Sequence, residues 1–191
     1  DPRAGGGDAV ASAAARPADV GVSGYEGAMR RLSEASLANA ALHYLRRYAA
    51  SQKGLRQVLE RKVKRHVREK GGDPVEAVPM IDAVVARMVR AGYVDDARFA
   101  ESKAGALHRA GKSARMVRLR LRQKGIGPEL VASTVPSDAA REQEAAQTLA
   151  RKKRLGVDPE RRQKDLAVLL RAGFGYDVAR RVLAGVARPP T

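Results

Sequence analysis

Three dense runs of cationic side chains are the part of this chain best suited to chemistry, and the chemistry they offer is anion binding. Arg56 to Lys70 holds seven Lys and Arg against two acids, Arg109 to Lys124 seven against none, and Arg151 to Lys164 seven against two. Guanidinium and ammonium groups hold phosphates or carboxylates through charge-assisted hydrogen bonds. On a helix, Arg115, Arg118 and Arg122 fall within about 60° of one another, so they form one cationic stripe beside the apolar pair Val117 and Leu121. The expected contact set is therefore Arg115, Arg118, Arg122 and Lys124. Arg61, Lys64, Arg65 and Arg68 support it from the first run, and Arg151, Lys152, Lys153 and Arg154 from the third. A solvated face whose long stems cover apolar surface explains any single run equally well. Three runs with so few acids favour binding.

Groups for catalysis do not assemble. His43, His66 and His108 fall on different predicted helices and have no partner at metal-ligand spacing, so each is expected to be a surface or boundary residue and no metal site is expected. Asp95-Asp96 could suggest acid and base work, but a helix start after Gly92 accounts for both: one caps the helix, the other complements its dipole or pairs with Arg98. Gly71-Gly72 and Gly5-Gly6-Gly7 lack the Lys-Ser or Lys-Thr that completes a phosphate loop. No cofactor is expected, and the chain reads as a non-enzyme. Base stacking fits poorly too, because Tyr25, Tyr44, Tyr48, Tyr93, Tyr176, Phe99 and Phe174 fall mostly at helix starts or core positions and not among the basic residues.

The elements that would position these cations follow from hydrophobic spacing. From Leu37 onward apolar residues recur at helical intervals, and the pattern repeats about every fifty residues. In the first unit Leu37, Ala41, Leu45 and Tyr48 line one helix, Ser51 caps a second carrying Leu55, Leu59 and Val63, and a third carries Ile81, Val84, Val85, Met88 and Val89. Gly92 ends that third helix. The second unit has a helix with Phe99, Ala100 and Leu107, another from Ser113 to Gly125, and a last one opened by Pro128 with Val131 and Val135 inward. The third places Ala145, Leu149 and Leu155 on its first helix, starts its second at Asp158-Pro159 with Leu166, Leu169 and Leu170, and ends with Val178, Val182 and Leu183. Laying Lys124-Gly125-Ile126-Gly127 over Ala172-Gly173-Phe174-Gly175 brings Leu121 onto Leu169 and Val135 onto Leu183. One signal conflicts: Val117 to Arg122 alternates apolar and charged, as a strand would. The Ser113 cap, the Gly125 stop and the helix-forming residues between them outweigh six residues of alternation.

Composition agrees. A chain of 191 residues with 44% hydrophobic content can build a core, and 4% aromatics with no Trp leaves that core to Leu, Val, Ala and Ile, as in helical bundles. The formal charge of +16 calls for an anionic partner, nucleic acid or an acidic protein surface. Zero Cys excludes disulfides and thiolate zinc sites and suits a reducing cytosol. No segment reaches the roughly 20 apolar residues of a membrane helix, and AVASAAA near the start is too weakly apolar for a secretory leader. Residues 1–35, rich in Gly, Ala, Ser and Asp, are expected to be a disordered tail, as are residues 187–191.

Gly92-Tyr93-Val94-Asp95-Asp96-x-x-Phe99-Ala100, followed by Gly111-Lys112-Ser113 and Leu121-x-x-Lys124-Gly125-Ile126, resembles the signature of the RecX family of recombinase regulators. Ala41-Leu42-x-x-Leu45, Ser51 and Leu55-x-x-x-Leu59 look like the family's opening repeat, and Gly173-Phe174 like its closing one. The resemblance spans about Leu37 to Val186. It implies an all-α fold of three tandem three-helix repeats, curved and elongated, over residues 36–93, 94–136 and 137–186. It also implies a non-catalytic regulator, binding the filament that RecA forms on single-stranded DNA and lowering its ATP hydrolysis and strand exchange. Gly92, Tyr93, Asp95, Asp96, Phe99, Ala100, Gly111, Lys124 and Gly125 carry over as signature positions. The extended basic helix Leu59 to Lys70 departs from the family pattern. Expected partners are the RecA filament and single- or double-stranded DNA, in the cytoplasm, with the protein a monomer because no heptad seam is present. The alternative is a basic helical protein that acts by coating DNA.

Overall fold

The computed structural model describes residues 32–186, and the tails expected before and after lie almost wholly outside that range. The regular secondary structure among the described residues is entirely helical. The first helix, α1 (Glu34–Leu45), begins inside the expected tail because Ser33 and Ser36 form a reciprocal capping box. Helix α2 (Gln52–Lys70) starts at Ser51, whose side chain accepts from the Gly54 N–H, and a short 3-10 turn at Pro74–Ala77 leads into α3 (Val78–Arg90). These three helices enclose Leu37, Leu55, Leu59, Ile81, Val84 and Met88, all essentially without solvent contact.

Helices α4 (Asp96–Arg109), α5 (Ala114–Gln123) and α6 (Pro128–Thr134) build a second, smaller cluster from Ala100, Ala104, Val117, Leu121, Ile126 and Val131. The segment with strand-like alternation is α5. A strand would put Val117, Leu119 and Leu121 on one face. Instead Val117 and Leu121, four apart, are fully buried, and Leu119 is 47% exposed.

The third cluster, around Leu149, Leu169, Phe174, Val182 and Leu183, comes from α7 (Ala139–Lys153), α8 (Arg162–Arg171) and α9 (Tyr176–Val186). Leu155 is buried here but is not on α7, contrary to the expectation. That helix ends at Lys153, Arg154 turns left-handed at φ 53°, and the Leu155 N–H reaches back to the Ala150 carbonyl. Asp158 caps a 3-10 turn, Pro159–Arg161, ahead of α8. In the register that equates Leu121 with Leu169, the place of Val117 is held by Asp165, a buried carboxylate that accepts from the Gly156 N–H at 2.7 Å. That bond ties the turn after α7 onto α8 and satisfies a group that would otherwise be costly to bury.

Adjoining clusters are joined twice by the same device. The Ser51 hydroxyl, at the start of α2, donates to the carbonyl of Lys124 at the end of α5 at 2.5 Å. The Ser113 hydroxyl, at the start of α5, donates to the carbonyl of Ala172 at the end of α8 at 2.7 Å. Beside each serine the first N–H of the helix is taken by a carboxylate from the next cluster: Gln52 N–H by Asp96, and Ala114 N–H by Glu142, both at 2.8 Å. The approach is close enough to require glycine after the accepting helix. Gly125 (φ +84°) and Gly173 (φ +91°) are left-handed, and a Cβ on them would lie 2.5 Å from the Lys53 side chain and 2.7 Å from Ser113 Oγ. At the outer ends the pattern changes. Val63, which matches Gly125 when Leu59 is set on Leu121, is buried in mid-helix and α2 runs on to Lys70; in the third unit Arg161 stands where Ser51 and Ser113 would.

Candidate binding grooves

Helix α5 exposes the residues that its core pair does not use. Arg115, Met116, Arg118, Leu119 and Arg122 form one wall of a groove, and Leu170, Arg171 and Gly173 at the end of α8 form the other, around a volume of about 550 Å³. Four arginines therefore line one cleft, together with two leucines that are 47% and 39% exposed. No acid lines it. Among the described residues the ion pairs are Arg56 with Asp82 and Arg141 with Asp138, so no carboxylate neutralises this cluster.

The four are not equivalent. Arg118 is half-buried, and its Nε and Nη2 both donate to the Val135 carbonyl at the end of α6, at 3.0 and 2.8 Å. Its fork is committed to closing a helix end, so the expected cationic stripe has one member already engaged. Arg115 and Arg122 are exposed and are the stripe's free members. Arg171 was not among the expected contacts. It stands at the register position of Gln123, next to the position of Lys124, so setting the two units in register could have found it.

The other expected contacts are distributed. Arg61 and Arg65 line a separate groove between α1 and α2, while Lys64 and Arg68 are exposed elsewhere on α2. Lys153 lines a cleft with Arg161, Lys164 and Arg171 that meets the α5 groove at Arg171. Lys152 Nζ donates to the Ala110 carbonyl at 3.3 Å, Arg151 to the Thr148 hydroxyl at 3.2 Å, and Arg154 is the left-handed residue after α7. Lys124 is exposed, and its carbonyl is the acceptor for Ser51. The second and third basic runs thus share a surface through Arg171, and the first forms its own.

The signature positions are mostly architectural. Asp95 caps α4 by accepting from the Ala97 and Arg98 N–H groups, as expected of one aspartate. Asp96 does not pair with Arg98; it serves the start of α2 in the neighbouring cluster. Gly92 follows α3, and Gly111 packs buried against α7. Ala100 is fully buried and Phe99 half-buried in the second cluster. Tyr93 is the exception, at 60% exposed.

His108 sits half-buried where α4 meets α7, in a cleft with Glu101, Arg109, Arg141 and Glu144. Its Nδ1 is buried without a hydrogen-bond partner. Desolvation, with help from the Arg141 charge and against Glu142 and Asp138, lowers its pKa below the ordinary 6.5.

Linked three-helix units, with an acid-free arginine cleft and capped, structurally occupied aspartates, define a protein of helical repeats. A family model described as "RecX, second three-helix domain" matches residues 95–134. The regulatory protein RecX of Myxococcus xanthus is 43% identical over 164 residues, covering 81% of this chain and 87% of the relative. That of Agrobacterium fabrum is 29% identical, covering 76% and 80%. The crystal structure of RecX from Lactobacillus salivarius superposes with a TM-score of 0.60 over 80% of this chain and 96% of that one, at 21% identity. The chain belongs to the RecX family of regulatory proteins. No helix among the described residues is long and apolar enough to cross a membrane.

Proposed function

We propose that this protein binds the recombinase RecA, or its filament on single-stranded DNA, and lowers recombinase activity without catalysis of its own. The carrying observation is the groove between α5 and α8. Arginines around exposed Leu119 and Leu170 and half-buried Met116 suit a protein surface that offers carboxylates beside apolar side chains better than bare phosphate, which would leave the leucines unused. Arg115, Arg122 and Arg171 are the contacts, Arg118 adds charge from a fixed position, and Lys153, Arg161 and Lys164 extend the face. The proposed setting is the cytoplasm, in DNA repair, recombination and the SOS response.

The test is RecA's DNA-dependent ATP hydrolysis with and without the protein. Hydrolysis unchanged at excess protein sinks the proposal. Adding duplex DNA in excess separates the rival, a protein that coats DNA and merely displaces RecA. Under that reading inhibition disappears, whereas a protein seated on RecA keeps inhibiting.

A further inference from the structure

The basic run of α2 and the turn after α1 create a second surface of different chemistry. Tyr48 follows α1, is 56% exposed, and stacks against Tyr44 with ring centroids 5.1 Å apart and planes tilted by 36°. It lines two grooves at once. One, of about 580 Å³, lies between α1 and α2 with Arg47, Arg61, Lys62 and Arg65. The other, of about 550 Å³, lies where the first cluster meets the second, with Arg46, Arg47, Tyr93 and Arg98. Tyr48 and Arg47 belong to both, so the two form one continuous strip. The sequence-based expectation that aromatics stay apart from the basic residues fails here. Tyr48 and Tyr93 lie in the turns that follow α1 and α3, and folding brings those turns against arginines from α2 and α4. Asp95 lines the second groove, but its carboxylate is occupied in capping α4.

Two tyrosines more than half exposed are poorly used in water, where their ring faces stay hydrated. Cations on either side supply the complement to a backbone of phosphates, and an open aromatic face suits a flat base. A duplex keeps its base faces stacked inside, so only an unpaired strand could use this ring.

We propose that this strip is a site for single-stranded nucleic acid, with Tyr48 as the stacking platform, Tyr93 beside it, and Arg47, Arg61, Arg65 and Arg98 on the phosphates. The site is separate from the α5–α8 groove and does not depend on the recombinase reading. Its test therefore contains no recombinase.

Labelled oligo(dT), an abasic oligomer of equal length and a duplex are titrated with the full chain and followed by fluorescence anisotropy. Oligo(dT) should bind about tenfold more tightly than the abasic strand. Tyr48→Ala should lose about that factor on oligo(dT) and little on the abasic strand, while Tyr48→Phe keeps the affinity. Tyr176→Ala, an equally exposed tyrosine of the third cluster, should change nothing. Equal affinity of the wild-type chain for oligo(dT) and the abasic strand overturns the proposal, as does duplex preference or the absence of binding. Unchanged oligo(dT) binding by Tyr48→Ala overturns it as well, with circular dichroism showing that the variant is folded.

Discussion

Replacing Ser113 by Ala removes one hydroxyl that does two jobs, and their sum can be worked out. As a helix cap, its oxygen accepts from the Met116 N–H at 3.3 Å. Caps of this kind contribute about 1 kcal/mol. As a donor, it satisfies the Ala172 carbonyl at 2.7 Å from a fully buried position. A buried carbonyl that loses its partner costs about 1–3 kcal/mol. Ser113→Ala should therefore destabilise the protein by about 2–4 kcal/mol. Ser33 supplies the internal control, because it caps α1 through the Ser36 N–H at 3.2 Å while only half-buried. Ser33→Ala should cost about 1 kcal/mol. Ser51→Ala, with the Gly54 N–H and the Lys124 carbonyl as its two partners, should match Ser113→Ala. Urea unfolding followed by circular dichroism measures all three. A Ser113→Ala loss no larger than that of Ser33→Ala would refute the role of this hydroxyl as a joint between clusters. A fall in the urea dependence would show the third cluster melting separately.

Other outcomes follow from the same geometry. Arg115→Ala, Arg122→Ala and Arg171→Ala together should weaken inhibition of RecA ATP hydrolysis at least tenfold, at about 1.4 kcal/mol per decade, with helical content unchanged; full inhibition by the triple variant would mean the face is wrong. Gly173→Ala should cost about 1–3 kcal/mol from its left-handed backbone alone. Because the new Cβ also meets Ser113 Oγ, its cost should be smaller when Ser113 is already Ala, a non-additivity that a double-mutant cycle reads directly. His108 titrates below 6.5, so the folded state resists its protonation: stability holds above that pH and declines as pH falls from 6.5 through the lowered value. His108→Gln should flatten that decline in thermal melts from pH 7 to pH 5, and an unchanged pH slope would count against it.

Much of this fold is written in local chemistry. Serines at the starts of α2 and α5, Asp95 at that of α4 and glycines after α3, α4 and α5 locate those helices, and the Gly125 and Gly173 register exposes the repeat. The misreading of Leu155 has a physical cause. Its burial suits a helical position, but Arg154, a residue that rarely turns left-handed, ends α7 one step earlier. The site was less legible because its parts are remote in sequence. Nothing local tells that Arg118 spends its fork on Val135, that Arg171 faces Arg115 across a groove, or that Tyr48 shares a groove with Arg61 and Arg65. Asp96 was half legible for the same reason: it lies in the first turn of α4, where an acid complements the dipole, but its partner, the Gln52 N–H, lies 44 residues earlier.

The two serine joints also set a length. A joint needs a small hydroxyl at one helix start and a glycine-ended helix to receive it, and the ends of the described row depart from that: α2 runs past Val63 and ends on Gly71 instead, and Arg161 stands where a serine would. Among the described residues, then, the row cannot be continued past α8 by the rule that built its joints, and on the α2 side the receiving helix end is displaced. Lengthening it would require a new end piece as well as another copy of the middle.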